Sequence, residues 1–178
     1  MDVAPVPADG PYFLAISDAG NNDTGSIAVS LNCLFGTCPP SNPPGILGTA
    51  YCVQTVNSTG SAAAISALGS PVVADNNVDL IVSNVPAGNI GIFFVGFGKA
   101  SQPMTYSWGT LCVAPAVKRL SPAVFTGNNN VVHYQFDLAS TPYVVSGLSL
   151  YHQFWFRDPA GPPPHTANMS DGLQIDYQ

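Results

Sequence analysis

Short runs of apolar and β-branched residues, most of them alternating with polar residues but residues 90–97 without alternation, follow one another along most of the chain. After residue 50, seven such runs occur at regular spacing, over residues 62–68, 78–84, 90–97, 110–113, 131–138, 149–157 and 173–177. Clusters of Gly, Pro, Asn and Asp separate them. Period-two alternation broken by such clusters is typical of β-strands joined by turns. The pattern predicts an all-β protein, an antiparallel two-sheet β-sandwich of Greek-key or jelly-roll type.

The run LSLYHQFWFRD, residues 148–158, carries aromatic side chains at positions of both parities. Successive side chains of a strand point to opposite faces. One face therefore holds Tyr151, Gln153, Trp155 and Arg157, and the other holds His152, Phe154, Phe156 and Asp158. A strand with aromatic residues on both faces predicts a central position between two packed layers, with Trp155 in the core.

The N-terminal part of the chain has a different pattern. Residues 12–17 and 26–33 are β-branched or alternating runs around the turn-rich segment DAGNNDTG, which predicts a β-hairpin. Residues 38–45, CPPSNPPG, contain four prolines, which cannot donate backbone hydrogen bonds to a sheet. We therefore predict a leader and hairpin over residues 1–48, in one interpretation the end of a preceding module, and a β-sandwich module over residues 49–178.

Composition and charge narrow the classes of partner. The 178 residues include 17 Gly and 17 Pro, which disfavours long helices. All ten acidic residues are Asp, only four residues are basic, and the net charge is −6. Such a surface repels nucleic acid and anionic lipid. The longest apolar run, residues 90–97, is much shorter than the ~20 residues of a membrane-spanning helix. We expect no nucleic acid partner and no membrane insertion.

Four cysteines permit three complete pairings. Cys33 and Cys38 flank a short loop, so a local bridge between them would leave Cys52 to join Cys112. A metal site would need paired CxxC elements or neighbouring His, and the three His lie far away in sequence. The sequence therefore predicts two disulfides, an oxidising compartment and a secreted, extracellular or cell-surface location.

Residues 51–177 contain five signals in a fixed order. They are a Tyr-Cys start with an NSTG turn, a Pro-x-Gly hairpin (VPAGN) before an aromatic strand, an LCV segment, an aromatic strand ending in Phe-Arg-Asp, and the close NMSDG. In this order they resemble a β-sandwich module found at the C-terminal ends of large secreted, multidomain bacterial proteins. The resemblance implies an extracellular module that is attached to other domains and has no established catalytic residues. Residues 1–48 lie outside it.

The segment SQPMTYSWG, residues 101–109, departs from the Gly-rich pattern of that module by carrying two aromatic residues. Sugars stack their C–H faces on exposed aromatic rings while their hydroxyls reach polar side chains. A loop with Gln102, Tyr106 and Trp108 is therefore a candidate binding site for polysaccharide or a cell-surface glycan. The alternative is that both rings fold back and cap one end of the sandwich.

The end of the 148–158 run brings an arginine next to an aspartate. The planar fork of Arg157 is able to hold a carboxylate or sulfate ligand. The structural alternative, which we favour, is a buried Arg157 that pairs with Asp158, Asp171 or backbone carbonyls and fixes the last loop.

Two clusters of oxygen-bearing side chains are weak candidates for a structural Ca²⁺. They comprise Asp18, Asn21 and Asp23 in the first cluster and Asp75, Asn77 and Asp79 in the second. Neither matches the twelve-residue calcium loop, which ends in a bidentate Glu, and the chain has no Glu. Asn and Asp also form turns by themselves, so turn chemistry accounts for both clusters.

No nucleophile motif such as GxSxG is present. His133 and His152 fall in predicted strands and His165 follows three prolines, so we expect no catalytic set. The sequence favours a non-catalytic extracellular accessory or adhesion module, with carbohydrate as the ligand class. The alternative is a structural assembly subunit of a filament or surface layer, in which residues 27–31 pair with an edge strand of a neighbouring subunit.

Overall fold

The computed structural model describes residues 45–114, 116–161 and 163–178. These ranges are all-β and contain one single 3-10 turn, Val73–Asp75. Their strands are β1 Gly45–Leu47, β2 Thr49–Tyr51, β3 Ala64–Gly69, β4 Val78–Ser83, β5 Ile90–Gly96, β6 Lys99–Tyr106, β7 Gly109–Val113, β8 Lys118–Arg119, β9 Val124–Phe125, β10 Val131–Phe136, β11 Ser149–Arg157, β12 Ala167–Met169 and β13 Gly172–Asp176.

The strands form antiparallel sheets. A four-stranded sheet has the order β1-β3-β4-β10, and a larger sheet has the order β2-β13-β11-β5-β8. In the larger sheet β12 also pairs with β11, and β9 pairs with β5. Strands β6 and β7 form a separate hairpin. Apolar side chains from both large sheets meet in one core, an arrangement that is consistent with a β-sandwich.

The alternation of β4 shows how the sequence positions the core. Val78, Leu80 and Val82 are fully buried, whereas Asp79 and Ile81 between them are only partly buried. Leu80 lies opposite Ala67 of β3 and opposite Tyr134 of β10. The four-stranded sheet therefore has one apolar face, and that face contributes half of the core.

Strand β11 is central, as predicted, with β5 on one side and β13 and β12 on the other. On one face, His152, Phe154 and Phe156 lie in the main core. On the other face, Tyr151 and Trp155 pack against a second cluster made of Phe94, Val113 and Met169. The strand is thus covered on both faces. Trp155, which was expected in the core, is only partly buried and lies outside the main core, on the hairpin side of the sheet.

A glycine explains the lack of alternation in β5. Gly91 is buried opposite Phe156, and the ring of the neighbouring Phe154 fills the space that a side chain at this position would need. The aromatic core residues of β11 therefore require a gap in the adjacent strand. This requirement accounts for the sequence IGIFF, in which a core-facing position has no side chain.

The described sheets begin before residue 49. β1, residues 45–47, pairs with β3, and β2 pairs with β13. The four-stranded sheet therefore includes residues that the sequence pattern assigned to the leader. The predicted hairpin over residues 12–17 and 26–33 lies outside the described residues.

Candidate functional site

Tyr106 and Trp108 belong to a β-hairpin, where the sequence predicted a loop. Strand β6 runs from Lys99 to Tyr106, and Ser107 and Trp108 form the turn into β7. The register between β6 and β7 shifts between Lys99 and Met104. Pro103, which suggested a loop because it cannot donate a backbone hydrogen bond, lies in this irregular stretch.

The glutamine of β11 attaches this hairpin to the larger sheet. Gln153 is fully buried. Its Oε1 accepts a hydrogen bond from the Cys112 backbone N–H at 3.0 Å, and its Nε2 donates to Thr110 O at 2.7 Å and to Ser170 O at 2.8 Å. One buried amide therefore satisfies backbone groups of β7 that no strand of the larger sheet reaches.

A second glutamine and a disulfide also hold β7. Gln54 Oε1 accepts from Thr110 N and Gln54 Nε2 donates to Thr110 O, both at 2.9 Å, so its amide imitates the paired bonds of a neighbouring strand. The predicted disulfide between Cys52 and Cys112 is present, with 6.3 Å between the Cα atoms. β7 is therefore fixed by side chains and a covalent bond.

Trp108 anchors the tip of the hairpin. Its backbone N–H donates to Ala167 O at 3.1 Å, and its carbonyl accepts from the Thr55 hydroxyl. The indole is half-buried, and its ring centroid lies 5.6 Å from that of His165. Its Nε1 is buried and has no hydrogen-bond partner among the described residues. Trp108 therefore packs inward, so the structure does not present it with Tyr106 as a pair of exposed rings.

Tyr106 and Gln102 remain open. Tyr106 is 59% exposed and Met104 is 57% exposed, and Gln102 is exposed as well. The residue opposite Tyr106 on β7 is Gly109, which has no side chain to cover the phenol ring. We call Gln102, Met104 and Tyr106 the hairpin surface. It combines an exposed aromatic ring with an amide on a firmly attached hairpin.

A concave surface that the sequence did not indicate lies where β8 and β10 meet the segment after β10. A groove of about 400 Å³ is lined by residues of three segments: Arg119, Leu120, Ser121, Pro122, Tyr134, Gln135, Phe136, Asp137, Ser140, Thr141, Pro142 and Tyr143. We call it the edge groove because β8 and β10 are the terminal strands of their sheets. The sequence pattern does not predict this groove, because its three lining segments are brought together only by the strand order.

Titratable groups of the edge groove influence one another. Burial, and secondarily the charge of Asp137, raises the pKa of Tyr134. Burial, and secondarily Tyr134, raises the pKa of Tyr143. Hydrogen bonds from Ser140 and then from Asn76 lower the pKa of Asp137. At neutral pH the groove therefore contains two neutral phenols and one carboxylate.

Arg157 does not occupy the buried position that we favoured. It is the exposed last residue of β11 and makes no ion pair or side-chain hydrogen bond with any residue that the structure describes. The reason is its position, because Arg157 shares a face with the only partly buried Trp155 and is the last residue of the strand. The predicted pairing with Asp158 or Asp171 is therefore not formed.

The two aspartates bind backbone amides instead. Asp158 is fully buried, and its Oδ2 accepts from Ser58 N at 3.0 Å. Asp171 Oδ1 accepts from Ile65 N at 2.7 Å, and burial raises its pKa. Asp158, which follows β11, is thereby linked to the loop before β3. Asp171, which precedes β13, is linked to β3 itself.

The second calcium candidate is divided among separate partners. Asp75 accepts from the Ser70 hydroxyl, Asp79 lies 2.7 Å from His133 Nδ1, and the Asn77 carbonyl accepts from Ser70 N. In residues 45–114, 116–161 and 163–178, no three His, Cys, Asp or Glu side chains form a group that could hold a metal. Asp18, Asn21 and Asp23 of the first candidate, and Cys33 and Cys38, lie outside the described residues, as do residues 27–31.

The three histidines have different environments. His133 is exposed beside Asp79 on β10, and His165 packs on Trp108. His152 is fully buried, and its Nε2 lies 3.2 Å from the Tyr177 hydroxyl oxygen. Burial lowers the pKa of His152 to about 3. His152 is therefore a neutral core residue.

Comparison with known proteins finds no matching family model, no matching curated protein and no matching solved structure. Within the described ranges, no helix has the length and apolar character that a membrane span requires.

Proposed function

We propose that this chain is a non-catalytic extracellular accessory module that binds carbohydrate through the hairpin surface. The observation that carries the proposal is the position of Tyr106, an exposed ring opposite a glycine on a hairpin that is fixed by Gln153, Gln54 and a disulfide. Exposed aromatic residues without a core role are typical of binding surfaces.

The chemistry of the hairpin surface suits a sugar chain. The open face of the Tyr106 ring offers an apolar plane for the C–H face of a pyranose. The Gln102 side chain is exposed and makes no hydrogen bond with a described residue, so its amide is available to donate to and accept from sugar hydroxyls. Because the hairpin is already fixed, binding orders few protein groups and loses little conformational entropy.

The extracellular location and the finer topology belong to the same proposal. A disulfide between residues 60 positions apart suits an oxidising compartment. The chain passes between the two large sheets from β4 to β5 and from β10 to β11, and the neighbouring pairs β4–β10 and β5–β11 are distant in sequence. We infer Greek-key connections from this order.

The proposal is tested with the Tyr106→Ala variant. We expect its retention on an immobilised polysaccharide panel to fall about tenfold, because the stacking plane is removed. The melting temperature is expected to stay within about 2 °C of the parent value, since exposed side chains contribute little to stability.

A matched control replaces an exposed aromatic residue elsewhere. Phe125 of β9 is 76% exposed, so Phe125→Ala removes a comparable ring and is expected to leave polysaccharide retention unchanged. Absence of retention of the parent protein on a broad glycan panel, or an equal loss in both variants, would contradict the proposal.

A further inference from the structure

We propose that the edge groove is a second, independent binding site and that it takes one or two rings of a neutral saccharide. This inference goes beyond the proposed role of the hairpin surface, because it rests on other residues. The groove volume of about 400 Å³ lies in the range of small-ligand sites and matches a mono- or disaccharide better than a long chain.

The floor of the groove is aromatic. Tyr134 belongs to the core-facing set of β10, and its ring packs on Phe93 with 5.2 Å between the centroids. The Tyr143 ring is held by Phe97 at 5.8 Å and by Lys118, whose Nζ lies 5.3 Å from the ring centroid. Both rings are therefore fixed before any ligand arrives, which favours binding of a rigid, partly apolar molecule.

The rim of the groove is polar and has unused hydrogen-bonding capacity. Both hydrogen bonds that described residues donate to the Asp137 carboxylate go to Oδ1, from Asn76 and from Ser140. Asp137 Oδ2 is thus free to accept from vicinal hydroxyls. The Tyr143 hydroxyl makes no hydrogen bond with a described residue and remains neutral, so it is available as a donor.

The groove has charges of both signs. Asp137 is held in its ionised form by its hydrogen bonds, so an anionic group placed beside it would be repelled. Arg119 lines the groove and the Lys118 ammonium lies 5.3 Å from the centroid of the Tyr143 ring, so the groove also has positive charge. A neutral sugar places adjacent hydroxyls on the Asp137 carboxylate and does not depend on either cation.

A peptide that extends the sheet fits the same surface less well. β10 is an edge strand of six residues, but the Tyr134 hydroxyl donates to Ser121 O at 2.7 Å and bridges the two edges near the middle of this strand. Only the end of β10 from Gln135 onward faces the open groove. Such a short stretch provides too few backbone bonds for strand addition.

The experiment is a titration of the full chain with neutral disaccharides, followed by amide chemical shifts. We expect shifts over residues 119–122 and 134–143. Tyr143→Phe keeps the ring and removes the hydroxyl, so affinity is expected to fall about fivefold. Ser140→Trp fills the groove and is expected to abolish these shifts.

The outcomes separate the two sites. The Tyr106→Ala variant is expected to keep the groove shifts and lose polysaccharide retention, whereas Ser140→Trp loses the shifts and keeps retention. No groove shifts with any neutral sugar, or sugar shifts that persist in Ser140→Trp, would overturn the groove proposal and leave the hairpin proposal standing. Shifts along all of β10 with an extended peptide and none with sugars would also overturn it.

Discussion

The buried side chain of Gln153 makes three hydrogen bonds to backbone groups, of the kind that neighbouring strands normally make with each other. It lies fully buried on the hairpin side of β11, between the larger sheet and β7. A buried polar group is costly unless it is paired, and here both ends of the amide are paired. The side chain therefore joins two layers that share no backbone ladder at this point.

Replacing Gln153 with methionine is expected to lower the free energy of unfolding by about 3 kcal/mol. Methionine keeps the volume but leaves the Cys112 N–H without a partner and removes a donor from Thr110 O. Urea denaturation measures the change. Gln102→Met is the control, since Gln102 is exposed, and we expect it to change stability by less than about 0.5 kcal/mol. Equal stability of both variants would contradict the anchoring role of Gln153.

The face that each side chain of β11 occupies was predictable from the sequence. Whether an individual polar side chain on that face would be buried and paired was not. Alternation placed Gln153 on the same face as Tyr151 and Trp155, and the structure agrees. The same rule placed Arg157 on this face, but whether it would be buried depends on how far the covering hairpin extends. That length is a tertiary property, so Arg157 was expected in a pairing that it does not make.

The β6–β7 hairpin is attached on one side only. β7 contacts the larger sheet through Gln153, Leu111 and Val113, whereas β6 is almost entirely exposed. The bonds from Gln54 and the Cys52–Cys112 disulfide add a second attachment. An element with few buried contacts of its own opens more easily than the core, so its order depends on these attachments.

We expect a variant with Cys52→Ala and Cys112→Ala to lose about 4 kcal/mol of stability, because the disulfide closes a span of 60 residues. Amide hydrogen exchange is expected to accelerate first over residues 99–113, while β4 and β11 stay protected until global unfolding. Acceleration spread uniformly over all strands would show that the hairpin is not a separate opening unit. The Phe125→Ala variant serves as a control with an intact disulfide.

Strand-like runs between clusters of turn-forming residues predicted the seven main strands, but β6 was expected to be a loop. Residues 99–106 contain Pro103 and few apolar residues, both of which are typical of loops. The strand forms because β7 beside it is fixed, so its pairing comes from the partner strand rather than from its own propensity. The short strands β8, β9 and β12 were missed for the same reason.

His152 connects the acid stability of the whole molecule to the core between the sheets. It packs against Phe136 of the opposite sheet, with 5.4 Å between the ring centroids, and its Nδ1 has no partner among the described residues. Burial keeps its pKa at about 3, compared with 6.5 for an ordinary histidine. In the unfolded chain this group takes up a proton below pH 6.5, and in the folded chain it does not.

The stabilisation linked to neutral His152 is therefore complete above pH 6.5 and is lost as the pH falls toward 3. Within this window each pH unit is expected to cost about 1.4 kcal/mol. The His152→Gln variant is expected to be less stable at pH 7 and to lose this part of the pH slope between pH 6.5 and 4.5. Urea denaturation at four pH values measures it. His133→Gln, at an exposed site, is the control, and an unchanged slope in His152→Gln would contradict the assignment.

The edge groove shows what only the complete topology determines. Composition and alternation predicted an all-β fold, but the order of strands within each sheet cannot be read from either. The groove exists because β8 and β10 end their sheets next to each other, which brings Tyr134 and Tyr143 to one opening. These tyrosines looked like ordinary strand and turn residues in the sequence.

The use of glutamine amides in place of a neighbouring strand has a consequence for how this protein can change. Gln54 and Gln153 bond the backbone groups of β7 that do not pair with β6. The attachment of β7 to the rest of the fold therefore depends little on the side chains of β6. Residues 100–106 are then open to substitution, and even to insertion at the irregular stretch around Pro103, without loss of the scaffold. Such a strand is suited to diversification, in the way that variable segments on a constant framework allow related proteins to acquire new ligands.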